Sequence, residues 1–142
     1  MANVHDVAAY ILEKHGTMTA MKLQKLVYYC QAWSLVWDEK PIFPEKIQAW
    51  ANGPVVYELY DQHRGQFQVA HWSAGNPEAL TKKEKETVDS VLGFYGDKPS
   101  QWLSDLTHNE DPWRDARKGL APGMRGNEEI TLAAMAEYYG SI

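Results

Sequence analysis

Cysteine is nearly absent from this 142-residue sequence, since Cys30 is its one example. A single cysteine cannot form an intramolecular disulfide, and it cannot build an all-cysteine metal site. Long apolar runs are absent too, and the first residues lack the basic and apolar segments of a secretory signal. We therefore expect a cytoplasmic protein with no membrane-spanning segment.

Runs of basic residues are also missing. The formal net charge is −5, and the stretch richest in lysine, residues 82–86, is interleaved with glutamate. Nucleic-acid binding depends on the neutralisation of phosphates, so an acidic chain without a basic stripe is a poor candidate for it. The pattern at 82–86 favours a solvent-exposed helix face with charge pairs three and four residues apart. We expect no nucleic-acid partner.

Aromatic residues, by contrast, are in excess, with six Trp and eight Tyr. Side chains with an apolar body and a polar tip suit both the edge of a core and a protein-binding surface. The length fits one domain with one continuous core. Because no repeat, low-complexity tract or linker interrupts the chain, residues 1–142 are predicted to form a single compact domain.

Most of the chain has the spacing of amphipathic helices. Asn3 and Thr19 are predicted to cap the first two helices, and Gly16 to end the first. The second helix is predicted to run to about Trp37 and is apolar on nearly all sides, which is typical of a central, buried helix. Further helical segments are predicted to begin near Pro54, Thr81, Pro99, Asp111 and Thr131.

Proline and glycine interrupt residues 41–54 and exclude a long helix there. Two short pieces, 42–43 and 47–50, fit either the strands of a small ribbon or loop. The Asn-Gly-Pro at 52–54 is interpreted as a turn that leads directly into a helix, with Pro54 at its first position. The predicted fold class is therefore mainly α, a multi-helix domain with a short-stranded β ribbon as an open alternative.

Residues able to carry catalysis form no recognisable constellation. Cys30 lies on the apolar stripe of the second helix, where a buried structural thiol is expected. His108 and Glu110 have the H-x-E spacing of zinc deaminases, but no cysteine follows them to complete such a site. Zinc-protease, phosphate-loop, dinucleotide and hydrolase motifs are absent. We therefore predict no enzyme, no metal and no cofactor, and a structural role for His108.

An enzyme nevertheless stays as an alternative. It would use His108, Glu110 and either Asp61 or His63 as acid and base. This alternative predicts that these side chains meet in one pocket, within hydrogen-bond reach and with perturbed pKa values.

The stretch WANGPVVYELY at residues 50–60 combines a turn with several aromatic residues. Its rings are consistent with inward packing and equally with a recognition surface. Asn52 lies in the turn and Tyr57 lies off the apolar stripe, so both are expected at the surface. Tyr60 fits core and surface equally well.

Three stretches resemble one known family in their order and spacing. The first is KLQKLVYYCQA at 22–32. The second runs from PIF at 41–43 through Ile47, Ala49 and Trp50 to NGPVV at 52–56 and LY at 59–60. The third comprises LS at 103–104, LTH at 106–108, Glu110, PW at 112–113 and AR at 116–117. Together they resemble the Panacea domain, also described as SocA-like or phage-associated GepA-like.

The resemblance implies a predominantly helical antitoxin domain. Members of the family pair with unrelated toxins, which are typically encoded by the adjacent gene and often carried on mobile elements or prophages. Some members have an extra DNA-binding domain, but here the motifs begin within the first thirty residues, so we expect none. The candidate partner-binding residues are Trp50, Asn52, Gly53, Pro54, Tyr57 and Tyr60, with His108 and Trp113 from the third stretch.

The implied mechanism is sequestration of a cognate protein toxin. An acidic, aromatic surface suits this role, because many toxins that act on nucleic acid are basic and opposite charge speeds encounter. An alternative partner-binding role is that of an adaptor that delivers the partner to an ATP-dependent protease. The sequence is equally consistent with masking and with delivery.

Overall fold

The computed structural model describes residues 1–142. Its helices are α1 (Val4–His15), α2 (Ala20–Trp37), α3 (Tyr57–His63), α4 (Lys82–Tyr95), α5 (Ser100–His108), α6 (Asp111–Ala116) and α7 (Leu132–Tyr139), with a short 3₁₀ helix at Pro77–Ala79. Its strands are β1 (Met18–Thr19), β2 (Ile47–Trp50), β3 (Gly53–Val56), β4 (Gln68–Val69) and β5 (Glu129–Ile130). The chain is mainly helical with a small β component. None of its helices combines the length and the hydropathy needed to cross a bilayer.

Local capping sets most helix ends where the sequence predicts them. Asn3 and Asp6 form a reciprocal capping box at the start of α1, and Gly16 ends that helix at a φ of 90°. The Thr19 side chain accepts from the backbone N–H of Lys22 at the start of α2. One boundary is off by a residue: Glu110, rather than Asp111, precedes α6. Asp111 is therefore the first helical residue and Pro112 the second. Proline is tolerated in this first turn because the N–H group that it lacks would have no partner within the helix.

Helix α2 packs against α1, α4, α5, α7 and β3. Two buried glutamines on it bind backbone elsewhere in the chain. Gln24 accepts from Val56 N–H and donates to Val56 C=O, while Gln31 accepts from Ile42 N–H and donates to Phe43 C=O. A side-chain amide has the same donor and acceptor as a peptide group, so each glutamine pairs with backbone as a neighbouring strand would.

The sheet around β2 has the order β3-β2-β5, with antiparallel pairs throughout. Trp50 pairs with Gly53, so Ala51 and Asn52 form a two-residue turn. The ribbon is therefore formed by 47–50 with 53–56. The segment around Phe43 is loop, because Gln31 satisfies its backbone.

The prediction that residues 52–54 lead directly into a helix is wrong. Pro54 lies in strand β3 opposite Ala49, and the helix begins three residues later at Tyr57. Proline is tolerated because β3 is at the edge of the sheet, where its outer side needs no backbone donor. The Pro54 carbonyl on that strand accepts instead from the Lys25 ammonium group.

One apolar cluster of 32 buried residues forms the core. Cys30 is fully buried within it, as expected for a structural thiol, and burial raises the pKa of that thiol.

The core also contains a cluster of hydrogen-bonded polar groups. The Tyr29 and Tyr139 hydroxyls both donate to Glu110 at 2.7 Å, and the Tyr28 hydroxyl lies 3.0 Å from that of Tyr139. Because the Tyr139 proton is directed to Glu110, Tyr28 is the donor to Tyr139.

Candidate partner-binding groove

An open groove of about 1010 Å³ lies beside the β2–β3 hairpin. The hairpin turn, the first two turns of α3 and a loop that precedes β5 form its sides. It is lined by Met21, Gln48, Trp50, Ala51, Asn52, Val55, Tyr57, Tyr60, Arg64, Arg125, Gly126 and Asn127. We call this the hairpin groove.

Gly53 makes the hairpin possible. Its φ of +123° is strained for any residue that carries a Cβ. A Cβ at this position would also lie 2.5 Å from Cε of Lys25, which passes directly beneath the turn. Glycine is therefore required here both by backbone conformation and by space.

Three aromatic rings form one wall of the hairpin groove. The Trp50 ring lies 4.8 Å from that of Tyr60 in an edge-to-face arrangement, and 6.5 Å from that of Tyr57. The two tyrosine rings are 6.1 Å apart. Tyr57 is 42% exposed, as its position off the apolar stripe predicts. The rings thus support one another while they keep apolar surface open to solvent.

Hydrogen bonds hold Trp50 in place. Its indole N–H donates to the Gln48 side chain at 2.7 Å, and its carbonyl accepts from the Trp113 indole at 2.8 Å. Arg117, buried at the end of α6, donates to the Ala49 carbonyl at 3.0 Å. Side chains from α6 therefore fix strand β2, and with it the tryptophan that faces the groove.

Arginine supplies the charge of the groove. The Arg64 guanidinium lies over the Tyr60 ring at 5.3 Å and donates to the Tyr57 hydroxyl at 3.1 Å. Its one acidic neighbour is Asp61, at 3.5 Å on the exposed side of α3. Arg125, from the loop that precedes β5, also lines the groove; it is exposed and forms no salt bridge. The groove is locally cationic in a chain that is acidic as a whole.

Beneath the hairpin lies a buried amine. Lys25 is fully buried, and its Nζ donates to the Pro54 carbonyl at 3.3 Å. Burial lowers the pKa of Lys25 to about 7, because a charged ammonium group is poorly solvated in this position. The Ser104 hydroxyl donates to the Asn52 carbonyl at 2.8 Å and holds the turn from the side of α5.

His108 stacks on Trp113, with ring centres 4.0 Å apart, and its buried Nε2 has no hydrogen-bond partner. Burial first, and then the nearby Lys25 amine, lower the pKa of His108. The imidazole therefore contributes to this side of the hairpin mainly through its stacked ring.

The structure divides the eight candidate residues into two groups. Those that line the groove are Trp50, Asn52, Tyr57 and Tyr60. Gly53 and Pro54 are buried in β3, while His108 and Trp113 are half-buried behind the hairpin and do not line the groove.

Sequence reasoning missed both arginines. Arg64 follows Tyr57 by seven residues and Tyr60 by four, which is the spacing of one helix face, so that periodicity could have indicated it. No local pattern could have indicated Arg125, because it reaches the groove from a distant loop.

The residues of the enzyme alternative lie in different environments. Glu110 accepts from two buried tyrosines, His63 contacts the Gln24 amide, and Asp61 faces solvent beside Arg64. Burial raises the pKa of Glu110 and lowers that of His63. No hydrogen bond joins any two of His108, Glu110, Asp61 and His63, and none of the four lines the hairpin groove. No three His, Cys, Asp or Glu side chains are arranged to hold a metal ion.

The comparison with protein families gives a match that covers more than half of the chain. The model of the family described as "Antitoxin SocA-like, Panacea domain" matches residues 23–114, from the first turns of α2 to α6. The matched span contains the whole β2–β3 hairpin and every groove residue except Met21 and the loop at 125–127. No curated protein and no solved structure matches the chain. The chain therefore belongs to the SocA-like antitoxin family defined by the Panacea domain.

Proposed function

We propose that this protein is an antitoxin that neutralises a protein toxin by binding it directly, and that the hairpin groove is its docking surface. The toxin is the product of the adjacent gene, and the complex forms in the cytoplasm. The protein masks the toxin's active or target-binding surface and carries out no reaction itself. Membership of an antitoxin family supports the role, and the geometry of the groove supports the surface.

The observation that carries the proposal is the wall of three mutually packed rings, Trp50, Tyr57 and Tyr60. Binding energy at protein interfaces is concentrated in a few aromatic and arginine side chains near the centre of the contact. Rings already held by their neighbours lose little conformational freedom on binding. The groove thus has the residue types and the rigidity of such a centre.

The remaining four candidates act indirectly in this proposal. Gly53 and Pro54 set the shape of the hairpin, and the Trp113 indole holds the Trp50 carbonyl. His108 packs on Trp113 and keeps that indole in place. We therefore assign partner contact to the groove-lining residues and positioning to these four.

Co-expression in bacteria tests the proposal. The adjacent gene alone is expected to arrest growth, and this protein is expected to restore it. Tyr57→Ala combined with Trp50→Ala should abolish the rescue, because both changes remove groove surface. Trp102→Ala is the matched control, since Trp102 is 44% exposed, close to the 42% of Tyr57, and does not line the groove.

Rescue that survives the double substitution would contradict the docking surface. No toxicity of the neighbour, or toxicity that this protein does not relieve, would contradict the antitoxin role. The level of the partner during rescue distinguishes masking from delivery to a protease: masking leaves that level unchanged, whereas delivery lowers it in cells that contain the ATP-dependent proteases.

A further inference from the structure

The charges that line the hairpin groove are all of one sign. Arg64 and Arg125 are its charged residues, and neither Asp nor Glu lines it. The chain as a whole carries a net charge of −5. The groove therefore favours an anionic ligand, although the net charge of the protein is negative.

Arg64 is held in place but retains free donors. Its Nη2 makes both of its hydrogen bonds, to Tyr57 and to Asp61. The guanidinium has five N–H donors in a planar fork, so Nε and Nη1 remain without a partner in the chain. A carboxylate can accept two parallel hydrogen bonds from such a fork.

The loop that carries Arg125 is tied to the sheet on both sides. Before it, the Met124 carbonyl accepts from Arg117, the same guanidinium that donates to Ala49 on β2. After it, the Glu128 carbonyl accepts from the Ala49 N–H at 2.8 Å. Arg125 is therefore presented from a backbone segment whose position relative to the hairpin is fixed.

We infer that the groove accepts an acidic segment of the toxin: a carboxylate side chain that Arg64 and Arg125 bind, next to an apolar side chain that packs on the rings of Trp50, Tyr57 and Tyr60. This inference rests on the proposed function and names the chemistry of the partner segment. Charge complementarity selects the carboxylate, and the aromatic wall selects its apolar neighbour.

A nucleic-acid strand is the other anion that such a groove could meet. Its many phosphates require many cations along a track, whereas this groove offers two in a chain of net negative charge. A single carboxylate needs no more than the two. The protein segment is therefore the occupant that fits.

Affinity measurements with the purified adjacent gene product test the inference. Arg64→Glu and Arg125→Glu are each expected to weaken binding at least about tenfold, because reversed charge repels the carboxylate. Lys82→Glu is the control, since Lys82 is exposed on α4 and does not line the groove. Wild-type affinity should fall as salt is raised from about 50 to about 500 mM, and the affinity of the arginine variants should fall less.

A compensating change locates the carboxylate. Each Asp or Glu of the toxin is changed to Arg in turn, and one such change is expected to restore binding to the double variant Arg64→Glu, Arg125→Glu while it weakens binding to the wild type.

Three outcomes would contradict this inference, and they differ in what they leave of the function on which it rests. Tight toxin binding that both arginine variants retain would overturn the inference and leave the antitoxin role in place. No binding by the wild type would overturn both. Arginine-dependent binding of a labelled single-stranded oligonucleotide, with toxin binding unaffected by the variants, would also overturn the inference.

Discussion

Two groups of aromatic side chains in this protein have similar composition and opposite surroundings. In the core, Tyr28, Tyr29 and Tyr139 are fully buried and their hydroxyls lead to the Glu110 carboxylate. In the hairpin groove, Trp50, Tyr57 and Tyr60 pack on one another and remain partly open to solvent.

The difference lies in the polar tips. A buried tyrosine needs an internal acceptor for its hydroxyl, and Glu110 supplies it for two rings at once. Tyr57 bonds to the exposed Arg64, so water can replace that partner at little cost. Aromatic residues in the core thus contribute mainly to stability, whereas those in the groove are free to contribute to binding.

The largest effect that separates the two groups is expected from Glu110→Ala. The substitution leaves the buried Tyr29 and Tyr139 hydroxyls without an acceptor and creates a cavity. The free energy of unfolding should therefore fall by about 4 kcal/mol, which chemical denaturation measures. Glu110→Gln keeps an acceptor and serves as the control; equal losses in both variants would show that the carboxyl oxygen is not the critical group.

Lys25, which lies buried beneath the hairpin, should give the protein a pH-dependent stability. The folded-state pKa is lowered to about 7 from a usual value of 10.5, so between these pH values the unfolded chain binds a proton that the folded chain does not. Stability should therefore rise with pH, by about 1.4 kcal/mol per pH unit from this group, and the gain from about pH 7 to 9.5 is about 3 kcal/mol.

The variant that checks this is Lys25→Met, which has no proton to lose. Between about pH 7 and 9.5, the free energy of unfolding of the wild type should rise relative to that of the variant. His63 and His108, which Lys25 affects electrostatically, have pKa values lowered from 6.5 and stay neutral there. A constant difference across the window would contradict the lowered pKa of Lys25.

The smallest effect compares one hydroxyl from each group. Tyr139→Phe removes a donor to Glu110 and an acceptor for Tyr28, and should cost about 1–2 kcal/mol of stability. Tyr57→Phe removes only an exposed partner of Arg64 and should change stability by less than about 0.5 kcal/mol. Thermal unfolding of both variants measures the contrast, and equal shifts would remove the distinction between the groups.

Local chemistry made the helices predictable. The capping boxes of Asn3 with Asp6 and of Thr81 with Glu84 act within four residues, so the helix starts that they set can be predicted from the sequence. The same holds for the exposure of Tyr57, which follows from helical periodicity. Pro54 was misplaced because a proline that starts a helix and one on an edge strand look alike until the neighbouring strand is known.

By itself the sequence determined the helical class of the protein, most helix ends, the buried thiol of Cys30 and the family to which the chain belongs. Only the tertiary structure decided which aromatic residues found an internal acceptor, and that Arg125 would line the same groove as Arg64. The physical reason is the distance along the chain over which each kind of interaction acts. Capping and periodicity act over one or two turns of chain, whereas contacts such as Arg117 to Ala49 join residues that only the folded core brings together.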